Sequence, residues 1–167
     1  MSAKDATLSK AATVFVRVHL KNNRGARANL KRCSELRAIY LIEQAHVFVE
    51  SCKLANQADW PAAYWLAALL AHLPEDAAST QSFGKILNES KFSKLRFQRL
   101  LEAEDLSSRF QQFRRGLAQI SYRVSPSELA KVFVGWQRPE VFRQVAYDYF
   151  APVAEYADTE IDPDKAN

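Results

Sequence analysis

Residues 105–121 read DLSSRFQQFRRGLAQIS, and their apolar side chains recur at the spacing of an α-helix. Leu106, Phe110, Phe113, Leu117 and Ile120 follow one another at steps of four, three, four and three positions. This spacing places the five side chains on one face of a helix. Such a seam is typical of the buried face of a helix in a bundle. The stretch therefore predicts a helix that packs against other helices.

The composition of the whole chain also favours helices. Only four of the 167 residues are glycine and six are proline, and a many-stranded sheet would need more of these turn-forming residues. Runs of Ala, Leu, Lys, Arg, Gln and Glu have high helix propensity. Nearly half of the residues are apolar, and ten are phenylalanine, which is enough to fill a core. We predict an all-α protein, a compact bundle of about seven to nine helices.

The division of the chain follows from its polar segments. We predict one helical domain over residues 1–157, with 1–74 and 83–157 as candidate sub-bundles. Loop 75–82, EDAASTQS, would join them, since it is polar and made of small residues. Residues 158–167, DTEIDPDKAN, cannot bury enough apolar surface to order themselves. We predict that they form a disordered acidic tail.

Several helix boundaries are predicted from local signals. Pro61 and Pro126 fit the first turn of a helix, where proline is tolerated. Ser93 is a predicted N-cap, and Ser125 with Glu128 predicts a capping box. The first helix is predicted from about Asp5 to Lys21, with Leu8, Ala11, Ala12, Phe15 and either Val18 or Val16 facing inward. In the last helix, Phe142, Val145, Ala146, Tyr149 and Phe150 are predicted to form the apolar side.

The positive charges are grouped along the chain. The formal net charge is +4, but residues 17–37 contain seven Lys or Arg and one acid, Glu35. Residues 85–123 contain nine Lys or Arg and four acids. By contrast, residues 41–84 contain five acids and a single lysine, Lys53. Grouped charge of this kind indicates the chemistry of a partner rather than a fold.

Two helical segments carry cations on their outer faces. In RGARANLKRC, residues 24–33, Arg24, Arg27 and Lys31 recur on one face, and the first carboxylate that follows is Glu35. In FSKLRFQRLL, residues 92–101, Phe97, Leu100 and Leu101 fall on one side of the helix, and the cations are predicted to face outward. A solvated face that only improves solubility is the alternative for both segments. We favour a binding surface.

Motifs for catalysis and for metal binding are absent from the sequence. It contains no GxxxxGK[ST], HExxH or GxSxG, and its three histidines are scattered. Cys33 and Cys52 have no metal-ligand spacing, and the N-terminus lacks a signal-peptide pattern. No apolar run is long enough to span a membrane. We therefore expect a cytoplasmic, non-enzymatic binding protein with reduced thiols and no cofactor or metal.

The partner of the basic surfaces remains open among three classes. A membrane-surface helix would need an exposed apolar face, and here each apolar face is needed by the bundle. Nucleic acid fits cations spread over several helices, since a groove must follow a backbone. The rival hypothesis is a free-standing helical adaptor or regulator that binds acidic proteins. Because no base-reading motif is present, we expect contact with the nucleic-acid backbone.

Five segments resemble the CasB family, the small subunit of the type I-E CRISPR Cascade surveillance complex. FGKIL at 83–87, KLRFQRLLEA at 94–103 and FQQFRRGLAQI at 110–120 are similar to the middle of that family. RGARANLKRC at 24–33 and GWQRPEVFRQVAYDYF at 135–150 are similar to its beginning and its end. In order and spacing these segments cover most of the chain.

The resemblance implies a helical, non-catalytic Cascade subunit that is often present as two copies. Such a subunit helps to hold guide RNA and target DNA and stabilises the displaced strand of the R-loop in antiviral defence. Carried over by position, Arg32, Arg96, Arg99, Arg114 and Arg115 fall in the basic segments of the family. Charge grouping adds the other cations of these segments. The predicted nucleic-acid-binding residues are Arg24, Arg27, Lys31, Arg32, Lys85, Lys91, Lys94, Arg96, Arg99, Arg114, Arg115 and Arg123.

Overall fold

The computed structural model describes residues 2–152, and within them every regular element is helical. The first five helices are α1 (Ala3–Val14), α2 (Arg24–Arg32), α3 (Leu36–Ile39), α4 (Glu43–Ser51) and α5 (Trp60–Leu70). The next five are α6 (Phe83–Glu89), α7 (Lys94–Leu101), α8 (Leu106–Gln119), α9 (Pro126–Val134) and α10 (Pro139–Phe150). The all-α prediction is confirmed. The predicted acidic tail, 158–167, lies outside the described residues.

The seam of α8 lies in the core. Phe110, Phe113, Leu117 and Ile120 are fully buried. The ring of Phe113 stacks on Phe83 of α6 and meets the edges of rings from α9 and the α9–α10 turn, with centroid distances of 5.1–5.3 Å. Beside it, α5 buries eight consecutive residues, Ala63–Leu70. Because α5 packs on α2, α3, α4, α8 and α9, it is the central helix of the bundle.

The predicted helix starts at Pro61, Ser93 and Ser125 are confirmed. Pro61 lies in the first turn of α5, and Ser93 accepts a hydrogen bond from the Arg96 backbone N–H at 3.3 Å. Asp105 caps α8 through the Ser108 backbone N–H at 2.9 Å. Ser125 caps α9, and its hydroxyl accepts from the Glu128 backbone N–H at 3.1 Å. Each cap satisfies a backbone donor that the first turn leaves unpaired.

The first predicted helix continues past Val14 as a π-helical segment, Phe15–Leu20. A π-helix bonds residues five apart and so has a longer turn than an α-helix. As a result Phe15, Val16 and Leu20 are buried, and Val18 is 48% exposed. The sequence left either Val18 or Val16 as the inward residue, and the structure buries Val16.

Two further expectations are wrong in detail. The Glu128 carboxylate accepts from the Phe83 backbone N–H at 2.8 Å, so within residues 2–152 it ties α9 to the start of α6 and does not close the capping box. Phe150 was expected on the buried side of α10 and is 61% exposed. Its neighbour Tyr149 is buried and donates to the Phe92 carbonyl. Both differences arise from tertiary packing, which local patterns do not report.

Helices that lie far apart in the sequence pack on one another. α1 packs on α9, and α6 packs on α10. Helices α6 and α10 approach each other closely at Gly84. A Cβ atom there would meet the Val145 carbonyl oxygen and would lie 2.9 Å from the Asp148 Cβ. Buried residues from before and after loop 75–82 belong to one hydrophobic cluster.

Candidate nucleic-acid interface

The early basic helix, α2, turns most of its cations to solvent. Ala26 and Leu30 face the core, while Arg24, Lys31 and Arg32 are exposed. Arg27 is different, since its Nε donates to the Ala71 carbonyl at 3.1 Å and its Nη2 donates to the Leu73 carbonyl. Its Nη1 also lies 3.6 Å from the Glu75 carboxylate. The Arg27 guanidinium therefore fastens α2 to the end of α5.

His72 marks a point where α2 and α8 bring cations together. Burial lowers the pKa of His72 to about 4, and the charges of Arg114, Lys31 and Arg27 contribute to the lowering. The His72 ring lies parallel to the Tyr122 ring at 6.2 Å, and its Nε2 has no hydrogen-bond partner in the described structure. A neutral histidine here avoids adding a charge to a positive neighbourhood. Arg27, Lys31 and Arg114 around His72 form the first of two groups of cations, and we call these four residues the His72 cluster.

A second group of cations lines a cavity of about 390 Å³ between α7 and α8. Phe97 and Leu100 anchor α7 in the core, so Arg96 and Arg99 point outward. Arg115 of α8 completes the group. The remaining lining residues are Phe92, Gln112, Gly116, Ala118 and Gln119. Below, we call this site the α7–α8 cavity.

Helix α8 contributes to both places. The charge of Arg114 helps to lower the pKa of His72, and the next residue, Arg115, lines the α7–α8 cavity. Consecutive residues on an α-helix differ in direction by about 100°, so neighbouring arginines serve two sides of one helix. Arg114 thus belongs to a group with cations of α2, and Arg115 belongs to a group with cations of α7.

The other predicted residues lie outside these two groups. Arg123 donates from Nη2 to the Ser90 hydroxyl at 2.6 Å and from Nε to the Ile120 carbonyl at 3.2 Å. Ser90 is followed by Lys91, which adopts a positive φ of 54°. Arg32 borders a shallow surface pocket at the end of α2. The remaining exposed residues of the predicted set are Arg24, Lys85 and Lys94.

Most of the predicted cations have no compensating acid. Within residues 2–152, the two ion pairs are Arg27–Glu75 and Arg138–Asp5. Of the twelve predicted residues, only Arg27 therefore lies within 4.0 Å of a carboxylate in that part of the chain. An exposed cation without an internal partner leaves its charge available to an external anion.

One arginine of the second basic segment is a structural residue. Arg109 is 2% exposed and lies over the Phe133 ring at 5.9 Å. Its guanidinium donates to the carbonyls of Phe133 and Glu104, and burial lowers its pKa. Counting Arg109 with the outward cations overstates the basic surface by one residue.

Sequence reasoning missed several residues of both groups. Gln112 and Gln119 lie three residues before and four residues after Arg115, so helical spacing could have found them. His72 and Phe92 reach their places through tertiary packing, and no local signal marks them. Among residues 2–152 no group of three or more His, Cys, Asp or Glu side chains could hold a metal ion.

The structure thus defines a helical bundle with two cation groups that share helix α8. None of its described helices is long and apolar enough to cross a membrane. The family model of CRISPR-associated protein Cse2 matches residues 26–150, and the chain belongs to this family. Cse2 is the CasB small subunit of the type I-E Cascade, so the resemblance of the sequence is confirmed and the chain is a subunit of a CRISPR Cascade complex. No curated protein and no solved structure matches the chain.

Proposed function

We propose that this Cascade subunit binds the sugar-phosphate backbone of nucleic acid and thereby stabilises the R-loop in antiviral defence. Its ligands would be the guide RNA, the target DNA and the displaced strand, with other Cascade subunits and a second copy of itself as protein partners. The observation that carries the proposal is the pair of cation groups, the His72 cluster and the α7–α8 cavity, which share helix α8. Within residues 2–152, Arg27 is the one arginine or lysine of these groups that lies within 4.0 Å of a carboxylate.

The chemistry of both groups suits phosphate. Guanidinium groups donate several hydrogen bonds in a fixed plane and stay charged at any physiological pH. Contacts with phosphate release counterions condensed on the nucleic acid, so each contact adds affinity at low salt. Backbone contacts carry no sequence information, which suits a subunit that must accept any target.

A non-catalytic role is part of the proposal. The α7–α8 cavity presents arginine, glutamine and phenylalanine side chains. None of these is a usual general acid, general base or nucleophile at neutral pH. We infer that the subunit holds strands and leaves their cleavage to other proteins.

A charge-matched pair of variants tests the proposal. The site variant replaces Arg96, Arg99, Arg114 and Arg115 with glutamine, which keeps helix propensity and removes four charges. The control variant replaces four exposed cations elsewhere, Lys4, Lys10, Lys131 and Arg143, with glutamine. The measurement is the affinity of the purified full chain for a labelled single strand over a range of salt concentrations.

The site variant should bind more weakly than the control variant at low salt. Its slope of log K against log[salt] should be smaller than that of the unmodified chain by about 3, since about 0.7 unit is lost per single-strand phosphate contact. Equal losses in both variants would show that net charge alone matters. Binding that is insensitive to salt would contradict backbone contact.

A further inference from the structure

The α7–α8 cavity has features that phosphate binding does not require. Its lining includes the ring of Phe92, which is 8% exposed, and Gly116 beside that ring. A Cβ atom at Gly116 would lie 3.9 Å from that ring, so the absence of a side chain there leaves the space next to Phe92 open. A site for phosphate alone needs hydrogen-bond donors and gains nothing from an aromatic ring in its lining.

The walls of the cavity match the chemistry of a nucleobase. Flat bases stack on aromatic rings and on the planes of arginine guanidinium groups. Gln112 and Gln119 each offer an amide with donors and an acceptor, which can pair with the edge of a base. The volume of about 390 Å³ lies near the lower end of the range for small-ligand sites. The cavity is therefore sized for one nucleotide rather than for a duplex.

We propose that the α7–α8 cavity receives one unpaired nucleobase of a single strand whose phosphates contact Arg96, Arg99 and Arg115. The inference rests on the proposed function and deepens it, because it specifies that the strand held at this site is single. A base within a duplex is stacked and paired, and turning it out costs free energy. The cavity thus favours an unpaired strand over a duplex of equal charge.

The test separates bases from phosphates. The full chain is titrated with a fluorescent single strand of about ten nucleotides and with an abasic strand of the same length, which keeps every phosphate. One stacked base contributes enough that the normal strand should bind about tenfold more tightly than the abasic strand.

A second arm changes the protein without removing a cation. Ala118 is exposed and lines the cavity, so Ala118→Leu should obstruct it while the helix folds normally. This variant should bind the normal strand only as tightly as the unmodified chain binds the abasic one. Ser107→Leu, which adds the same side chain at an exposed position of α8 outside the cavity lining, should leave the tenfold difference intact.

Each outcome bears on a different claim. Equal affinity for normal and abasic strands, with both weakened in the four-arginine variant, would overturn the base-binding inference and leave the proposed function standing. An undiminished preference for bases in Ala118→Leu would also overturn the inference. Binding of neither strand to the unmodified chain would overturn the proposed function and the inference together.

Discussion

His72 shows how the fold changes the chemistry of a single residue. In the sequence it is an isolated histidine near the end of an apolar run. In the structure it is half-buried, stacked on Tyr122 and placed among three cations. Burial and these charges both disfavour the protonated ring, so its pKa falls from 6.5 to about 4.

The lowered pKa of His72 predicts a pH dependence of stability. Between about pH 6.5 and pH 4 the unfolded chain binds a proton at His72 that the folded chain does not bind. Stability therefore falls as the pH decreases through this range. We expect the melting temperature of His72→Gln to fall less than that of the unmodified chain between pH 7 and pH 4.5.

The control for this experiment is His19→Gln, which removes an exposed histidine. Its melting temperature should follow the profile of the unmodified chain. Parallel profiles for His72→Gln and the unmodified chain would show that His72 does not carry the effect.

At the scale of helices, Gly84 and Gly116 make a matched pair. Both are helical glycines, in α6 and α8, and alanine has the higher helix propensity by about 1 kcal/mol. At Gly84 the added methyl group would collide with the backbone of α10. At Gly116 it would only come into ordinary contact with Phe92, at 3.9 Å.

We predict opposite effects on the free energy of unfolding. Gly84→Ala should destabilise the protein by about 1–3 kcal/mol, the usual cost of overpacking. Gly116→Ala should be neutral or stabilise it by up to about 1 kcal/mol. Chemical denaturation of both variants is the measurement. If Gly84→Ala were as stable as Gly116→Ala, α6 and α10 would not approach as closely as described.

Local sequence patterns correctly predicted several helix starts and the buried face of α8. The caps at Ser93 and Ser125 and the seam of α8 were all predictable, because they depend on neighbours within one or two turns. Local patterns did not predict the π-helical turn at Phe15–Leu20 or the hydrogen bond from the Phe83 backbone N–H to the Glu128 carboxylate. The hydrogen bond between Phe83 and Glu128 joins segments that lie 45 residues apart, and no local signal marks the π-helical turn.

At the scale of the whole molecule, charge grouping identified the basic segments but not their arrangement. The sequence separates Lys31 from Arg114 by more than eighty residues, yet both act on His72. It also treats Arg27 and Arg109 like the other arginines, although the fold uses both in internal hydrogen bonds. Only the packing of α2, α5, α7 and α8 distinguishes these roles.

In the proposed function, arginines on α7 and α8 hold a strand within the Cascade assembly. The most direct measurement is the retention of target DNA, at matched salt, by complexes that carry the unmodified subunit, the four-arginine variant or the charge-matched control. All three subunits must first be shown to be folded and incorporated. We expect the four-arginine complex to release the R-loop sooner than the other two. Equal retention by all three complexes would contradict the claim and leave these arginines as a solvated surface.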